Sequence, residues 1–329
     1  MADLSTTYMG LNLKNPLVVS SCGLTGTADT IVEIEKAGAG AVVLKSIFEE
    51  QILGEIKSMA ESGSNVSYGA EADDYLAYYV KQNNIEEYIS LIREAKARTS
   101  IPIIASVNCQ SSEEWTSFSK RIEEAGADAL EINLFIMPSD PKQTSKDIEN
   151  IYFSVIKKVK EEISIPIALK IGCYFTGLAE MIYNLSDTGI DALVLFNRFM
   201  APDIDIEKME ITVTSVYSSP EELSNPLRWI GLMAGKAKCD LAASTGIHDT
   251  EGVIKVLAAG ASTAYMASAL YNKGIEYIAA ILKELDAWID KSHYHSVEHL
   301  RGSLERKDRG NRNRYERAQF MKYYSSHGK

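Results

Sequence analysis

The stretch Glu124-Ala125-Gly126-Ala127-Asp128-Ala129-Leu130-Glu131-Ile132-Asn133 decides how this chain folds. An acidic residue and a glycine end a helical segment, and a mostly apolar run follows and stops at an asparagine. The same form stands at Glu35-Lys36-Ala37-Gly38-Ala39-Gly40-Ala41-Val42-Val43-Leu44-Lys45. It recurs at Thr188-Gly189-Ile190-Asp191-Ala192-Leu193-Val194-Leu195-Phe196-Asn197 and at Ala259-Gly260-Ala261-Ser262-Thr263-Ala264-Tyr265-Met266-Ala267-Ser268. The glycine suits the left-handed conformation that closes a helix. The apolar run suits a parallel strand buried on both faces. Repetition of helix, glycine and strand means βαβ architecture.

Outward from these copies, strands are expected at 16–21, 41–46, 102–108, 129–134, 166–171, 192–197, 240–244 and 263–268. Amphipathic segments separate them, among them 112–124, 145–162 and 250–259. Ser111 and Ser112 before Glu113 and Glu114 read as a capped helix start. Eight such units predict a closed TIM (β/α)8 barrel. An open doubly wound sheet is the alternative, but its G-x-G-x-x-G fingerprint is missing after the first strand, where Ser20-Ser21-Cys22-Gly23-Leu24-Thr25-Gly26 stands. Residues 6–14 read as an N-terminal β-hairpin closing the barrel floor. Insertions are expected after strand two (47–84) and strand six (198–225), the second with a small ribbon at 203–206 and 211–216. Both lie on the side where barrels carry their sites.

The barrel is expected to span residues 1–300, with a basic C-terminal extension over 301–329. That extension reads as a solvated, partly helical tail; a subunit contact through Tyr315, Phe320, Tyr323 and Tyr324 is the sharper alternative. A chain of 329 residues buries enough core to need neither disulfides nor a structural metal. Its net charge of −11 argues against nucleic-acid binding. Cys22, Cys109, Cys173 and Cys239 lie far apart without a C-x-x-C pair, which leaves no zinc or iron–sulfur framework. They read as reduced thiols. No signal peptide precedes the first strand and no apolar run is long enough to span a bilayer, so a cytoplasmic protein without a membrane partner is expected.

A barrel strand is functional at its C-terminal tip. The tips here are Ser21, Lys45 with Ser46, Asn108, Asn133, Lys170, Asn197, Ser244 with Thr245, and Ser268. A lone asparagine at a strand end usually caps a loop, and a lone lysine usually reaches for water. Two lysines and three asparagines on one rim are less easily explained that way. The lysines offer charge to an anion, and the asparagines offer paired donors and acceptors to a flavin or pyrimidine edge. Histidines and carboxylate clusters are missing from the tips, which argues against a metal site. Ser244-Thr245-Gly246-Ile247 and Ala267-Ser268 stand on the last two strands, where barrels bind phosphate.

These residues resemble the dihydroorotate dehydrogenase family, FMN-containing barrels that include the pyrimidine-reducing domain of dihydropyrimidine dehydrogenase. The likeness runs from Tyr8 to about Gly302. It rests on Asn15-Pro16-Leu17, Val43-Leu44-Lys45-Ser46, Ala105-Ser106-Val107-Asn108, Leu130-Glu131-Ile132-Asn133-Leu134, Ala168-Leu169-Lys170, Asn197, Ser244-Thr245-Gly246-Ile247 and Ala267-Ser268-Ala269-Leu270. The resemblance implies that Lys45, Asn108, Asn133 and Lys170 contact the flavin ring or ribityl chain. It implies that Thr245, Gly246, Ala267 and Ser268 hold the phosphate; Ser21, Ser46 and Ser244 are further cofactor-binding candidates. Asn197 would face the pyrimidine, with Lys45 close to it.

Three stretches depart from the family pattern. Where the family carries Asn-Leu-Ser-Cys-Pro or its serine variant, this chain has Asn133-Leu134-Phe135-Ile136-Met137-Pro138-Ser139-Asp140. The base position therefore falls on Ile136 or Met137, which accept no proton. The family's Asn-rich substrate loop is replaced by Ser64-Asn65-Val66-Ser67-Tyr68-Gly69, and its phosphate-side glycines by Tyr217-Ser218-Ser219-Pro220. Ser139 or Ser67 is then the candidate base, with Lys45 as the second catalytic candidate. The leading expectation is an FMN-dependent oxidoreductase transferring a hydride between a dihydropyrimidine and the flavin. Its electrons would pass to a soluble acceptor such as fumarate or to a partner subunit, and a homodimer is the default assembly. A flavin enzyme acting on another cyclic amide or an enoate is one alternative, and a non-catalytic flavin- or phosphate-ligand-binding barrel is another.

Overall fold

Thr6-Thr7-Tyr8 alternates buried, exposed, buried, Leu11-Asn12-Leu13 alternates in polarity, and the two pair antiparallel as β1 (Thr6–Tyr8) and β2 (Leu11–Leu13). Met9 and Gly10 turn between them with φ of 53° and 73°, the mirror-image turn a two-residue hairpin favours. The computed structural model describes residues 2–48, 70–108, 115–304 and 315–316. The expectations at Cys109, Ser111, Ser112, the 64–69 loop with Ser67, and most of the tail lie outside the described residues.

The barrel consists of β3 (Leu17–Val19), β4 (Ala41–Val43), β6 (Ile103–Asn108), β7 (Ala129–Asn133), β8 (Ile167–Ile171), β9 (Ala192–Leu195), β12 (Asp240–Ser244) and β13 (Thr263–Met266). A two-residue strand, β5 (Ile47–Phe48), adds to β6. All neighbouring barrel strands run parallel in chain order, and pairing of β4 with β6 and of β13 with β3 leaves no open edge. The chain is a (β/α)8 barrel.

Period-two alternation sorts each strand's side chains. Val18, Val43, Ile104, Ala129, Ala168, Val194, Ala242 and Tyr265 face the axis, and Tyr8, Met9 and Leu13 of the hairpin plug the floor beneath them. Leu17, Val42, Ile103, Leu130, Leu169 and Leu193 face outward onto the helices. Those helices are Ala28–Lys36, Ala70–Arg98, Trp115–Glu124, Ser145–Glu162, Leu178–Ser186, Ser224–Met233, Thr250–Ala259 and Tyr277–Lys291. Each buried Leu or Ile contributes about 1.5–3 kcal/mol relative to exposure.

Local chemistry fixes the helix ends. Thr144 Oγ1 accepts from the Asp147 amide at 3.2 Å while Asp147 Oδ2 accepts from the Thr144 amide at 3.0 Å, a reciprocal cap. Asp249 Oδ1 accepts from the Gly252 amide at 2.8 Å. The four glycines of the repeat, Gly38, Gly126, Gly189 and Gly260, all have positive φ (105°, 95°, 80° and 118°), as helix closure requires.

Several boundaries differ from expectation. The strand ladders end earlier than 21, 46, 197 and 268, because those terminal residues turn out of the sheet at the barrel mouth. The insertion expected over 47–84 overlaps a helix, Ala70–Arg98, that continues as the second barrel helix. Along its C-terminal part Ile85, Tyr88, Ile89, Ile92 and Ala95 are buried at helical spacing. The second insertion holds the expected ribbon as β10 (Pro202–Asp205) and β11 (Glu210–Val213). At the C-terminal end, the Gly302 and Leu304 amides donate to the Leu257 and Ala258 carbonyls at 2.9 and 2.8 Å.

Candidate active site

Strand register sets the heights of the rim residues. Asn108 pairs with Asn133 across β6–β7, and Asn133 with Lys170 across β7–β8, so the three stand side by side at one level. Asn197, just past β9, donates its amide to Asn133 Oδ1 at 2.8 Å. Opposite them, Ser21 Oγ bonds Ser46 Oγ at 2.9 Å, and Ser46 Oγ bonds Ser106 Oγ at 2.7 Å. Lys170 is buried and its Nζ reaches Ser20 Oγ at 3.4 Å. Lys45 is exposed, its stem beside Gly26.

A cleft of about 400 Å³ opens over this rim, within the range of small-ligand pockets. Of the expected residues, Ser21, Lys170, Asn197, Ser244, Thr245, Gly246, Ala267 and Ser268 line it. Lys45, Ser46, Asn108, Asn133 and Ser139 are not among its lining. Asn133 and Ser46 connect to it through Asn197 and Ser21.

One end of the cleft is built for an anion. Thr245 and Gly246 have successive positive φ of 84° and 79°, a concave backbone turn of the kind that presents amides to anions. Among the described residues, nothing accepts the backbone N–H of Gly246 or Ile247. Only glycine fits at 246, because a Cβ there would collide with the Leu223 backbone. Ser268 opens a short helix, Ser268–Lys273, beside this turn. Its Oγ accepts from the Ser218 amide at 3.0 Å, and Ser218 Oγ bonds His248 Nε2 at 3.0 Å. Burial, with help from the Lys273 charge, holds the His248 ring below its ordinary value.

The sequence reading missed three groups that shape this cleft. Arg198 donates from Nε to Glu222 Oε2 at 2.9 Å and from its terminal nitrogens to the Val216 and Tyr217 carbonyls at 2.9 and 3.1 Å. It thereby ties the 215–222 segment over the rim; its one sequence signal is adjacency to Asn197. Cys22 and Tyr271 also line the cleft. Burial pushes the Cys22 thiol up, with the Tyr271 hydroxyl beside it, so it is a neutral thiol near pH 7.

The exits of β7, β8 and β9 differ. Phe135, Tyr174 and Phe199 meet there, with Tyr174 edge-on to Phe135 and to Phe199 at centroid distances of 6.1 and 5.9 Å. The Phe135 ring lies where a side chain at Gly172 would be. Ile136 is half-buried, and Met137, Ser139 and Asp140 are exposed. A smaller cleft of about 220 Å³, lined in part by Tyr174, Phe199 and Asn225, shares Asn197, Arg198 and Thr245 with the first. No helix among the described residues is long and apolar enough to cross a membrane.

A family profile described as dihydroorotate dehydrogenase matches residues 3–289. The chain is 28% identical over 312 residues to the catalytic subunit of dihydroorotate dehydrogenase B (NAD(+)) of Thermoplasma acidophilum, covering 92% of this chain and 99% of that one. It is 27% identical over 315 residues to the protein of the same description from Thermoplasma volcanium, covering 92% and 98%. For that of Methanothermobacter thermautotrophicus the identity is 25% over 315 residues, covering 91% and 97%.

Proposed function

The chain belongs to the dihydroorotate dehydrogenase family, and from that premise we propose that it is an FMN-dependent oxidoreductase acting on the CH–CH bond of a cyclic, dihydropyrimidine-like substrate. The observation that carries this reading is the convergence, in one cleft, of a buried ammonium on β8 with an anion-ready turn at β12–β13. Those residues fit FMN, whose anionic phosphate and polar ring need both ends.

In this reading Ser244, Thr245, Gly246, Ala267 and Ser268 hold the phosphate with backbone amides and hydroxyls. Ser21, Lys45, Ser46, Asn108, Asn133 and Lys170 surround the ribityl chain and ring. When bound, FMN supplies the hydride donor and acceptor. Lys170 places a cation where negative charge develops. Asn197, oriented by Asn133, holds the substrate's amide edge, and Arg198 keeps the 215–222 segment closed against water. Ser139 is the proposed proton acceptor, with Lys45 as the accompanying cation. Ser139 stands exposed in the loop after β7, so the role requires that loop to fold inward over the substrate. Residues 1–300 act as the FMN-binding barrel and 301–329 as a basic extension. The relatives' description as catalytic subunits supports a partner subunit as the electron acceptor; the cytoplasm is the compartment this reading assigns.

The aromatic wall of Phe135, Tyr174 and Phe199 favours a second reading in which the flavin is kept and the substrate is a less polar cyclic amide or an enoate. The test is an absorption spectrum of protein incubated with FMN, followed by dihydroorotate without oxygen. Flavin bands that bleach support the first reading. Bands that persist leave the second, and failure to take up FMN removes both.

A further inference from the structure

Glu131 lies two residues before Asn133 on β7, so the strand's alternation turns both toward the barrel axis, Glu131 one layer deeper. Its side chain is wholly buried, and neither carboxylate oxygen accepts a hydrogen bond among the described residues. Such a group is costly unless a cation compensates it. The cation paired with it is Lys170, whose Nζ stands 3.9 Å from Glu131 Oε1 with its own side chain only 8% exposed. The Tyr265 hydroxyl is a second neighbour of the carboxylate, lowering its proton affinity, and it also bonds the Tyr8 hydroxyl at 3.0 Å.

Lys170 therefore stands between a dry carboxylate below and the cleft it lines above. Its one hydrogen-bond partner among the described residues is Ser20 Oγ at 3.4 Å, a long contact at the edge of hydrogen-bond range. A packing role alone would not call for a charged group at this depth, since a well-packed apolar residue fills such a place at equal or lower cost. Burial raises the Glu131 carboxyl's proton affinity, and the Lys170 charge and the Tyr265 hydroxyl oppose that rise.

We propose that Glu131 is a positioning residue: from inside the barrel its carboxylate holds the Lys170 ammonium beneath the cleft and so sets how tightly the cleft grips an anionic ring. The inference rests on the reading that Lys170 faces the flavin.

Glu131→Gln, Lys170→Met and the double substitution in the full-length protein form the test. Three quantities are measured: FMN affinity by fluorescence quenching, the midpoint potential of the bound flavin, and the melting temperature of the apoprotein. Glu131→Gln is expected to weaken FMN by about tenfold or more and to shift the potential away from wild type, and Lys170→Met to weaken FMN likewise and to lower the potential. The double substitution is expected to be no worse than Lys170→Met alone, and Glu131→Asp to regain part of the loss. In the apoprotein, Lys170→Met strands the carboxylate, so it is expected to melt below the double substitution. Glu131→Leu guards against misfolding: it should melt cooperatively and still lose the same FMN affinity.

Wild-type affinity and potential in Glu131→Gln would overturn the proposal, as would losses that simply add in the double substitution. A wild-type protein that takes up no FMN strikes the flavin reading itself. The melting order then still decides the pairing, and a double substitution no more stable than Lys170→Met overturns it.

Discussion

At the exits of β3, β12 and β13 the rim is made largely of serines, a threonine and a glycine that line the cleft. At the exits of β7, β8 and β9 it is made of Phe135, Tyr174, Phe199 and Met137. The first half can hold an anion through small residues and positive φ. The second offers apolar surface and two linked asparagines above the buried Glu131–Lys170 pair. Both halves sit on the same eight strands, so the contrast arises at the tips and loops and not in the scaffold. The difference teaches that cofactor and substrate are read by separable sets of strand ends, and that one set can be rewritten while the other is kept.

The contrast breaks most sharply at Gly246. An alanine there meets the Leu223 backbone and must adopt a φ near 79°. Strain of that kind costs about 1–3 kcal/mol, and about 1.4 kcal/mol is already tenfold in affinity. Gly246→Ala is expected to retain less than about a tenth of the wild-type FMN affinity and to melt several degrees lower. Flavin titration and a melting curve check it; unchanged affinity would mean that the turn does not hold the phosphate. On the other half, Ser139→Ala is expected to lower turnover by about 10²-fold with flavin binding intact. Equal turnover would remove Ser139 and favour the less polar substrate. Arg198→Ala, which releases the 215–222 segment, is expected to speed flavin loss by about tenfold, the scale of a lost charge-assisted hydrogen bond. A wild-type dissociation rate would show that the segment closes without it.

The same division appears in what the sequence disclosed. The helices Ser145–Glu162 and Thr250–Ala259 and the strand Asp240–Ser244 were legible to the residue, because cap, apolar stripe and turn coincide there. The helix Ala70–Arg98 was not, since its first half mixes charges, tyrosines and alanines without a stripe. The β12–β13 end was legible because contiguous residues, Ser244-Thr245-Gly246 and Ala267-Ser268, make most of it. Arg198 was not, since its partners Tyr217 and Glu222 lie 19 and 24 residues away on a loop whose path no local pattern dictates. The Glu131–Lys170 pair was hidden for a similar reason: within an apolar strand a glutamate reads only as part of the repeat. Its neighbour on the adjacent strand follows from register, which spacing alone does not supply.

The smallest expected effect concerns pH and joins the two halves of the argument at the strap over the anion end. Folding holds the His248 ring below its ordinary value of 6.5, mainly through burial, while Ser218 Oγ sits 3.0 Å from its Nε2. The unfolded chain therefore takes the proton first as pH falls through 6.5. Stability that is complete above that pH is lost progressively below it. The ring is half-buried, so solvent screens part of the effect and a decline of only a few degrees is expected between about pH 7 and pH 5. His248→Gln keeps a polar partner for Ser218 and removes the titration, so its melting temperature should fall less over the same interval. Parallel slopes for the two proteins would assign the decline to other groups. A flatter slope in the variant, with faster flavin loss at low pH only in the wild type, would tie the strap to the anion end that it covers.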